Sequence, residues 1–348
     1  MTGVLPAPRA TLGALRARID RVGVIEHSIG SVPDPTSGHC LDDAGRALAI
    51  ASRLAADPDA EFVATACLRQ LERSVVPGRG LVLRLDADGR PTNDPLSDDG
   101  WARALWGLAV AATGPLGLRD QARALLDALG GPHSTHPRAA AHAVLAGLTL
   151  LSDDPASTFG SALVDRHAPH LPTADGNGAW RWPEPRLTYG NALIVEARLA
   201  LARWRQDDAA ILTSLSLLEW LVDRETSVDG HLSVTPVGGR GPGGPAGFDQ
   251  QPIEAWTLAD AALLAHEVTG EGRWADVVRC AEAWFEGAND LGLPVWDPVT
   301  GSAYDALTPA GVNLNQGAES ALAFIGTRHA AELVSPSSLE ATRRSSRR

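Results

Sequence analysis

The sequence contains no lysine, so all 30 of its basic residues are arginine. That absence removes Schiff-base catalysis, lysine-anchored pyridoxal phosphate and the phosphate-loop lysine together, and the chain is read as needing no cofactor. Cysteine is scarce as well. Cys40, Cys67 and Cys280 are too few and too scattered for a disulfide framework, and an odd number leaves at least one thiol free, which fits a reducing compartment. No apolar run approaches the ~18 residues of a membrane span, and the N-terminal stretch lacks the basic start and continuous apolar centre of a secretory signal. A cytoplasmic protein without a membrane partner is expected. Clustered cations are missing too: the formal net charge of -12 opposes binding to a phosphate backbone, so nucleic acid is not an expected partner. Alternating strand-like runs are rare, LVLRLDAD (81–88) being the clearest.

What is present is helical periodicity. ARALAIASRLAA, WARALWGLAVAA, RAAAHAVLAGLTLL, NALIVEARLALARW, EAWTLADAALLAHEV and GAESALAFIGT carry small and apolar residues at three-to-four spacing. Each is preceded by a polar or aromatic lead-in: GHCLDD (38–43), SDDG (97–100), HPR (136–138), EPRLTYGN (184–191), FDQQPIE (248–254) and NLNQGAE (313–319). Between them lie more ordinary amphipathic segments, EFVATACLRQLER, GLRDQARALLDAL, TFGSALVDRHA, AAILTSLSLLEWLVDR and RWADVVRCAEAWFE. TLGALRARIDRV (11–22) supplies the sixth outer helix. Six inner and six outer helices in alternation describe an all-α fold, an (α/α)6 toroid, in which each hairpin buries its face only against its neighbours. One toroid domain over residues 1–330 is expected, with 331–348 a disordered basic tail.

In such a ring the lead-ins gather on one face and share one pocket. Its expected lining is rich in acids: Asp42 and Asp43, Asp98 and Asp99, Glu184, Asp249, Glu254 and Glu319. Paired carboxylates are what glycosidic-bond hydrolysis requires, one protonating the leaving oxygen while the other attacks or activates water. Carboxylates in a first helical turn also cap free N–H groups, which competes as the role of Asp98, Asp99 and Glu254. Asp249 and Glu319 sit among amides suited to holding hydroxyls: Asn191, Gln250, Gln251, Asn315 and Gln316. Arg138 from HPR joins them. Of ten tryptophans, Trp101, Trp180 and Trp182 fall in or beside lead-ins, as does Tyr189, and aromatic faces stack on sugar rings. WRWPEP (180–185) reads as a loop, so contact with a ligand is expected of its tryptophans. His39 and Cys40 beside Asp42 and Asp43 hint at metal, but no second cluster with ligand spacing accompanies them, and no metal site is assigned. GGRGPGGPAG (238–247) lacks the lysine and the strand–helix context of a phosphate loop and reads as a flap beside FDQQP.

With GHCLDDAGRAL, SDDGWARALWGL, WRWPEPRLTYGNALIVEA, FDQQPIEAW, NDLG and NLNQGAES in view, the chain resembles a family of bacterial α/α-toroid proteins found beside or fused to glycosyltransferases, over roughly residues 20–325. The resemblance implies a six-hairpin glycosidase-like fold, carbohydrate as the ligand class, and admits a glycosyltransferase as partner. One departure stands out: the family has LTYDNA where this chain has LTYGNA, so Gly190 replaces an acid.

The expected function is hydrolysis of a glycoside or oligosaccharide by two carboxylates across the pocket, with Asp249 or Glu254 as acid and Asp43 or Glu319 as base. A non-catalytic glycan-binding partner of a glycosyltransferase is the alternative, since binding needs no opposed acids. A terpene-type cyclase, which wants an apolar pocket, and a sugar epimerase, which wants pocket histidines, stand behind these.

Overall fold

The computed structural model describes residues 10–76, 80–95, 98–129, 133–173 and 178–335. The inner helices are α2 (Leu41–Arg53), α4 (Asp99–Thr113), α6 (Pro137–Asp153), α8 (Asn191–Arg205), α10 (Pro252–Thr269) and α12 (Ala318–Leu333). Each packs on the next, and α12 returns to α2, so the ring closes. Outside it run α3 (Ala60–Ser74), α5 (Arg119–Leu129), α7 (Thr158–His167), α9 (Asp208–Arg224) and α11 (Gly272–Phe285). The fold is an (α/α)6 toroid, as the sequence pattern predicts. Beyond α12, residues 336–348 of the expected tail lie outside the described residues, as does Ser97 of the second lead-in.

Small residues in the inner helices have a packing cause. A Cβ at Gly107 of α4 would lie 2.2 Å from the carbonyl oxygen of Gly45 in α2, and one at Gly45 would lie 2.6 Å from that of Arg103. The two backbones therefore touch, and any larger side chain would force them apart. Two large apolar clusters fill the remaining space, one around α2, α4 and α6 and one around α8 to α11.

The first outer helix differs from expectation. Instead of spanning 11–22, α1 is the single turn Gly13–Arg16. Asp20 Oδ1 accepts from the backbone N–H groups of Val22 (2.7 Å) and Gly23 (3.1 Å), a local turn that competes with helical hydrogen bonding. The segment 81–88 is also less regular than its alternation predicts. It contributes only Gly80–Leu81, paired with Val75–Val76, and Arg84–Leu85, paired with His39–Cys40. The second pairing matters, because it lays Leu83 and Arg84 beside the start of α2. The loop 238–247 is tied down rather than flap-like: Arg224 Nη2 donates to the carbonyls of Gly241 (3.0 Å) and Pro242 (2.8 Å), and Arg240 Nη1 donates to that of Arg224 (2.5 Å).

Candidate active site

At the face where the inner helices begin, a mouth of about 560 Å³ opens onto a deeper chamber of about 150 Å³ on the ring axis. All six inner helices supply the deep chamber, through Arg46, Arg103, Arg138, Leu193, Trp256 and Glu319 among others. Asp42, Asp43, Asp249, Gln251 and Glu319 line the mouth, joined by Glu26, Arg84 and Asp305 from loops. Tyr189 and Gly190 line the deep chamber.

At the centre stands Arg46. Its Nη2 lies 2.8 Å from Asp43 Oδ1 and 2.9 Å from Glu319 Oε2, so one guanidinium bridges carboxylates from α2 and α12. Both oxygens touch the same nitrogen, so they stand no more than 2.8 plus 2.9, or 5.7 Å, apart. Asp43 is 3% exposed; burial pushes its carboxyl up to about 6, with Glu319 adding to the rise and Arg46 opposing it. Burial alone would make Arg46 easier to deprotonate, but Glu319, Asp43 and Asp42 outweigh it and hold the cation charged. Its Nε and Nη1 are buried with no hydrogen-bond partner among the described residues.

A second arginine organises the next sector. Arg103 Nη1 donates to Asp42 Oδ2 (2.6 Å), and its Nη2 lies 3.6 Å from Asp99. Tyr189 Oη donates to Asp99 Oδ2 (2.5 Å). Burial works against the Asp99 carboxylate, yet Arg103, Tyr189 and His136 together hold its pKa below the usual range. Asp99 thus orients Tyr189 from behind the wall. Asp98 caps α4 by accepting from Gly100 N–H (3.1 Å). The third arginine, Arg138, is saturated: it donates to both oxygens of Glu184 (3.1 and 3.0 Å), to Thr188, to Asn191 and to the Tyr189 carbonyl. It fixes the LTYGN loop.

Several residues expected in the pocket belong to neither chamber's wall. Glu254 is 4% exposed and turns toward α8, where Oε1 accepts from Gly190 N–H (2.7 Å). It caps a neighbouring helix. Burial, with Glu225 adding to it, pushes its carboxyl up to about 8, while the Gly190 N–H opposes the rise. Trp182 is 2% exposed and stacked on Trp220, and Trp180 meets that ring edge-on at 5.2 Å, because α9 offers an apolar face to the WRWPEP loop. Trp182 is core, and Trp180 packs half-buried against it. Trp101 is also buried, against His167. Glu184 and Asn191 serve Arg138, as above. Gln250 is buried and bonds the Gly247 carbonyl and Asp290; Gln316 bonds Thr300 and Asp297; Asn315 accepts from Gly30 N–H. Each braces a loop.

The sequence reading passed over Arg46, Arg103 and His142. The arginines had a signal, since they follow Asp43 at i+3 and Asp99 at i+4 on the same helix. His142 is 7% exposed in the deep-chamber wall, and its Nδ1 lies 3.2 Å from the Arg138 carbonyl, which can only accept. The ring proton therefore sits on Nδ1, leaving Nε2 as an acceptor. Burial, then Arg103, lowers its pKa to about 3 and keeps the ring neutral. Glu26, Cys40 and Asp43 place three potential metal donors within 4.8 Å of one another, but Arg84 donates to Glu26 and Arg46 to Asp43, so guanidinium groups already neutralise both acids.

No protein-family profile and no curated protein matches the chain. Solved structures do. A sugar epimerase from a ruminal bacterium superposes with a TM-score of 0.72 at 12% identity, over 94% of this chain and 96% of that one. The cellobiose 2-epimerase of Bacillus thermoamylovorans gives 0.69 at 12% identity, over 93% and 96%. A GH76 alpha-mannanase from Bacteroides thetaiotaomicron gives 0.63 at 12% identity, over 92% and 93%. At such identities the likeness establishes the fold: this chain is an (α/α)6 toroid of the architecture those enzymes share.

Proposed function

We propose that the protein is a carbohydrate-active enzyme that hydrolyses glycosidic bonds with Asp43 and Glu319. The observation that carries this is the Asp43–Arg46–Glu319 bridge. It unites a buried carboxyl at about 6, suited to giving and retaking a proton near neutral pH, with a second acid from the opposite end of the chain on the same guanidinium. The two oxygens that meet Arg46 lie within 5.7 Å of each other, and such proximity favours the retaining arrangement, ~5–5.5 Å between carboxyl groups, over the ~6.5–9.5 Å of inverting enzymes. In the first step Glu319 attacks the anomeric carbon, the glycosidic C–O bond breaks, and the Asp43 proton goes to the leaving oxygen. In the second, Asp43 takes a proton from water, whose oxygen displaces Glu319. Arg46 stands between the two and balances the charge that they carry through the cycle. Asp249, exposed in the mouth, is assigned to substrate binding rather than proton transfer, and Glu254 to structure.

The names of the structural neighbours support sugar as the ligand class, since they include epimerases and glycoside hydrolases. A second reading, sugar isomerisation or epimerisation, is favoured by one feature: neutral His142 with Nε2 free to accept a proton in the deep chamber. A glycosyltransferase as partner rests on the sequence resemblance alone. The test is reducing-sugar release from α- and β-linked oligosaccharides by the parent, Asp43→Asn and Glu319→Gln. A loss of ~10²–10⁴ in rate is expected for each variant, measured at a temperature where circular dichroism shows it folded, since Asp43→Asn also weakens the buried Arg46 bridge. Full activity in both would remove the assignment. Conversion of one free sugar to its epimer without hydrolysis would select the second reading, and binding without any turnover would make the protein a glycan-binding module.

A further inference from the structure

Arg46, Gln251 and Glu319 belong to the walls of both chambers, so they form the neck between the mouth and the deep chamber. The Asp43–Glu319 pair is held at that neck by Arg46. A bond positioned between these carboxylates has one side in each chamber. We propose that the deep chamber is a single-ring subsite that takes one terminal monosaccharide unit, with the remainder of the substrate in the mouth, so that the protein acts from the chain end. The end-acting part rests on the hydrolytic reading above; the single-ring part does not.

Size sets the first limit. A protein cavity of about 150 Å³ takes one six-membered ring of benzene's size, so the chamber's 150 Å³ is on the scale of a single ring. Two linked rings do not fit, whereas the mouth at 560 Å³ has room for more than one. The floor sets the second limit. Trp106, Leu145, Glu196 and Asp260 line both the chamber and a separate cavity beyond it, so they stand between the two. Arg53 ties them together, donating to Asp260 (3.2 Å) while lying 5.0 Å over the Trp106 ring. Side chains of α2, α4 and α10 thus meet at the inner end of the chamber, which narrows the way for a longer chain. Chemistry supplies the third observation: the chamber wall combines Trp106 and Trp256, with ring centroids 6.4 Å apart, with the polar side chains of Arg46, Arg103 and Gln251. Aromatic rings beside polar side chains match a ligand with oxygens at its edge and C–H groups on its face, as a pyranose has.

The test uses the full chain and two kinds of probe: gluco-, manno- and galacto-hexaoses labelled at the reducing end, read by mass spectrometry, and the corresponding methyl glycosides, read by calorimetry. Leu193→Trp and Ile253→Trp each fill the deep chamber, two variants being used in case one misfolds. Expected are a ladder losing one ring at a time from a labelled hexaose, and methyl glycoside affinity falling at least tenfold in a filled variant that melts like the parent. Cleavage into internal fragments would overturn the end-acting assignment while leaving hydrolysis intact. Methyl glycoside binding that survives filling, or no methyl glycoside binding by the parent, would overturn the single-ring chamber. Binding lost on filling, with no hexaose cleaved, would support the chamber and bring down the hydrolytic reading instead.

Discussion

Replacing Arg46 by methionine removes the guanidinium that bridges Asp43 and Glu319 while keeping an unbranched apolar stem in its place. The side chains of Asp43 and Arg46 are only 4% and 3% exposed, and breaking a buried pair by deleting one partner costs about 3–5 kcal/mol, because the other charge is left uncompensated. Asp43 has an escape: it can protonate. Its folded-state pKa, about 6 in the parent, already lies above the ordinary value of 3.8, and loss of Arg46 raises it further. A carboxyl raised on folding stabilises the protein at low pH, and that contribution is lost as pH climbs from the unfolded to the folded value. In the parent the loss ends near pH 6; in the variant it continues upward. The gap between the two proteins should therefore widen above pH 6 by up to ~1.36 kcal/mol per pH unit, or ~2–3 kcal/mol between pH 6 and 8. Urea denaturation followed through the ten tryptophans, at pH 5 and pH 8, measures this directly. Equal destabilisation at the two pH values would refute the claim that Arg46 holds Asp43 charged, and a loss below ~1 kcal/mol at pH 8 would show that the pair is not buried as described.

Trp182→Ala should cost ~3–5 kcal/mol of stability, as expected for emptying a core tryptophan site, and leave calorimetric sugar affinity unchanged; weaker binding with normal melting would return Trp182 to the site. Glu254→Gln mimics the protonated acid, so the variant should lose less stability than the parent between pH ~4.5 and ~8 and be more stable above that, by at most ~5 kcal/mol; parallel denaturation curves at pH 5 and 9 would contradict a folded-state value of about 8. Gly190→Asp restores the acid that the family resemblance supplies. The backbone is left-handed there (φ 53°) and a Cβ meets no atom within 4 Å, so the substitution should cost no more than ~1–2 kcal/mol and place a carboxylate on the deep-chamber wall. Higher turnover is expected, and a larger melting loss would show that the αL conformation requires glycine.

The ring was readable from the sequence because its cause is local. Helices that pack backbone to backbone at Gly45 and Gly107 must be built from small residues, and that composition separates inner from outer helices before any contact is known. The site was readable only in part, because a side chain at the start of an inner helix can turn either to the axis or to the neighbouring helix. Asp43 and Glu254 have the same sequence credentials, each an acid in the first turn of an apolar helix; Asp43 meets Arg46 on the axis, whereas Glu254 meets the free N–H of Gly190 on α8. The partner that holds Glu254 lies 64 residues away, out of reach of any local pattern. WRWPEP carried the opposite ambiguity: a loop composition suggested exposure, but the apolar face of α9, with Trp220, was there to cover it. Asp43 carried one local signal that Glu254 lacks, the arginine one turn later on its own helix. Glu319 has no such arginine and shares Arg46 from α2, so the counter-charge that keeps a carboxylate on the axis comes from its own helix or from a neighbouring one, and only the first case leaves a pattern in the sequence.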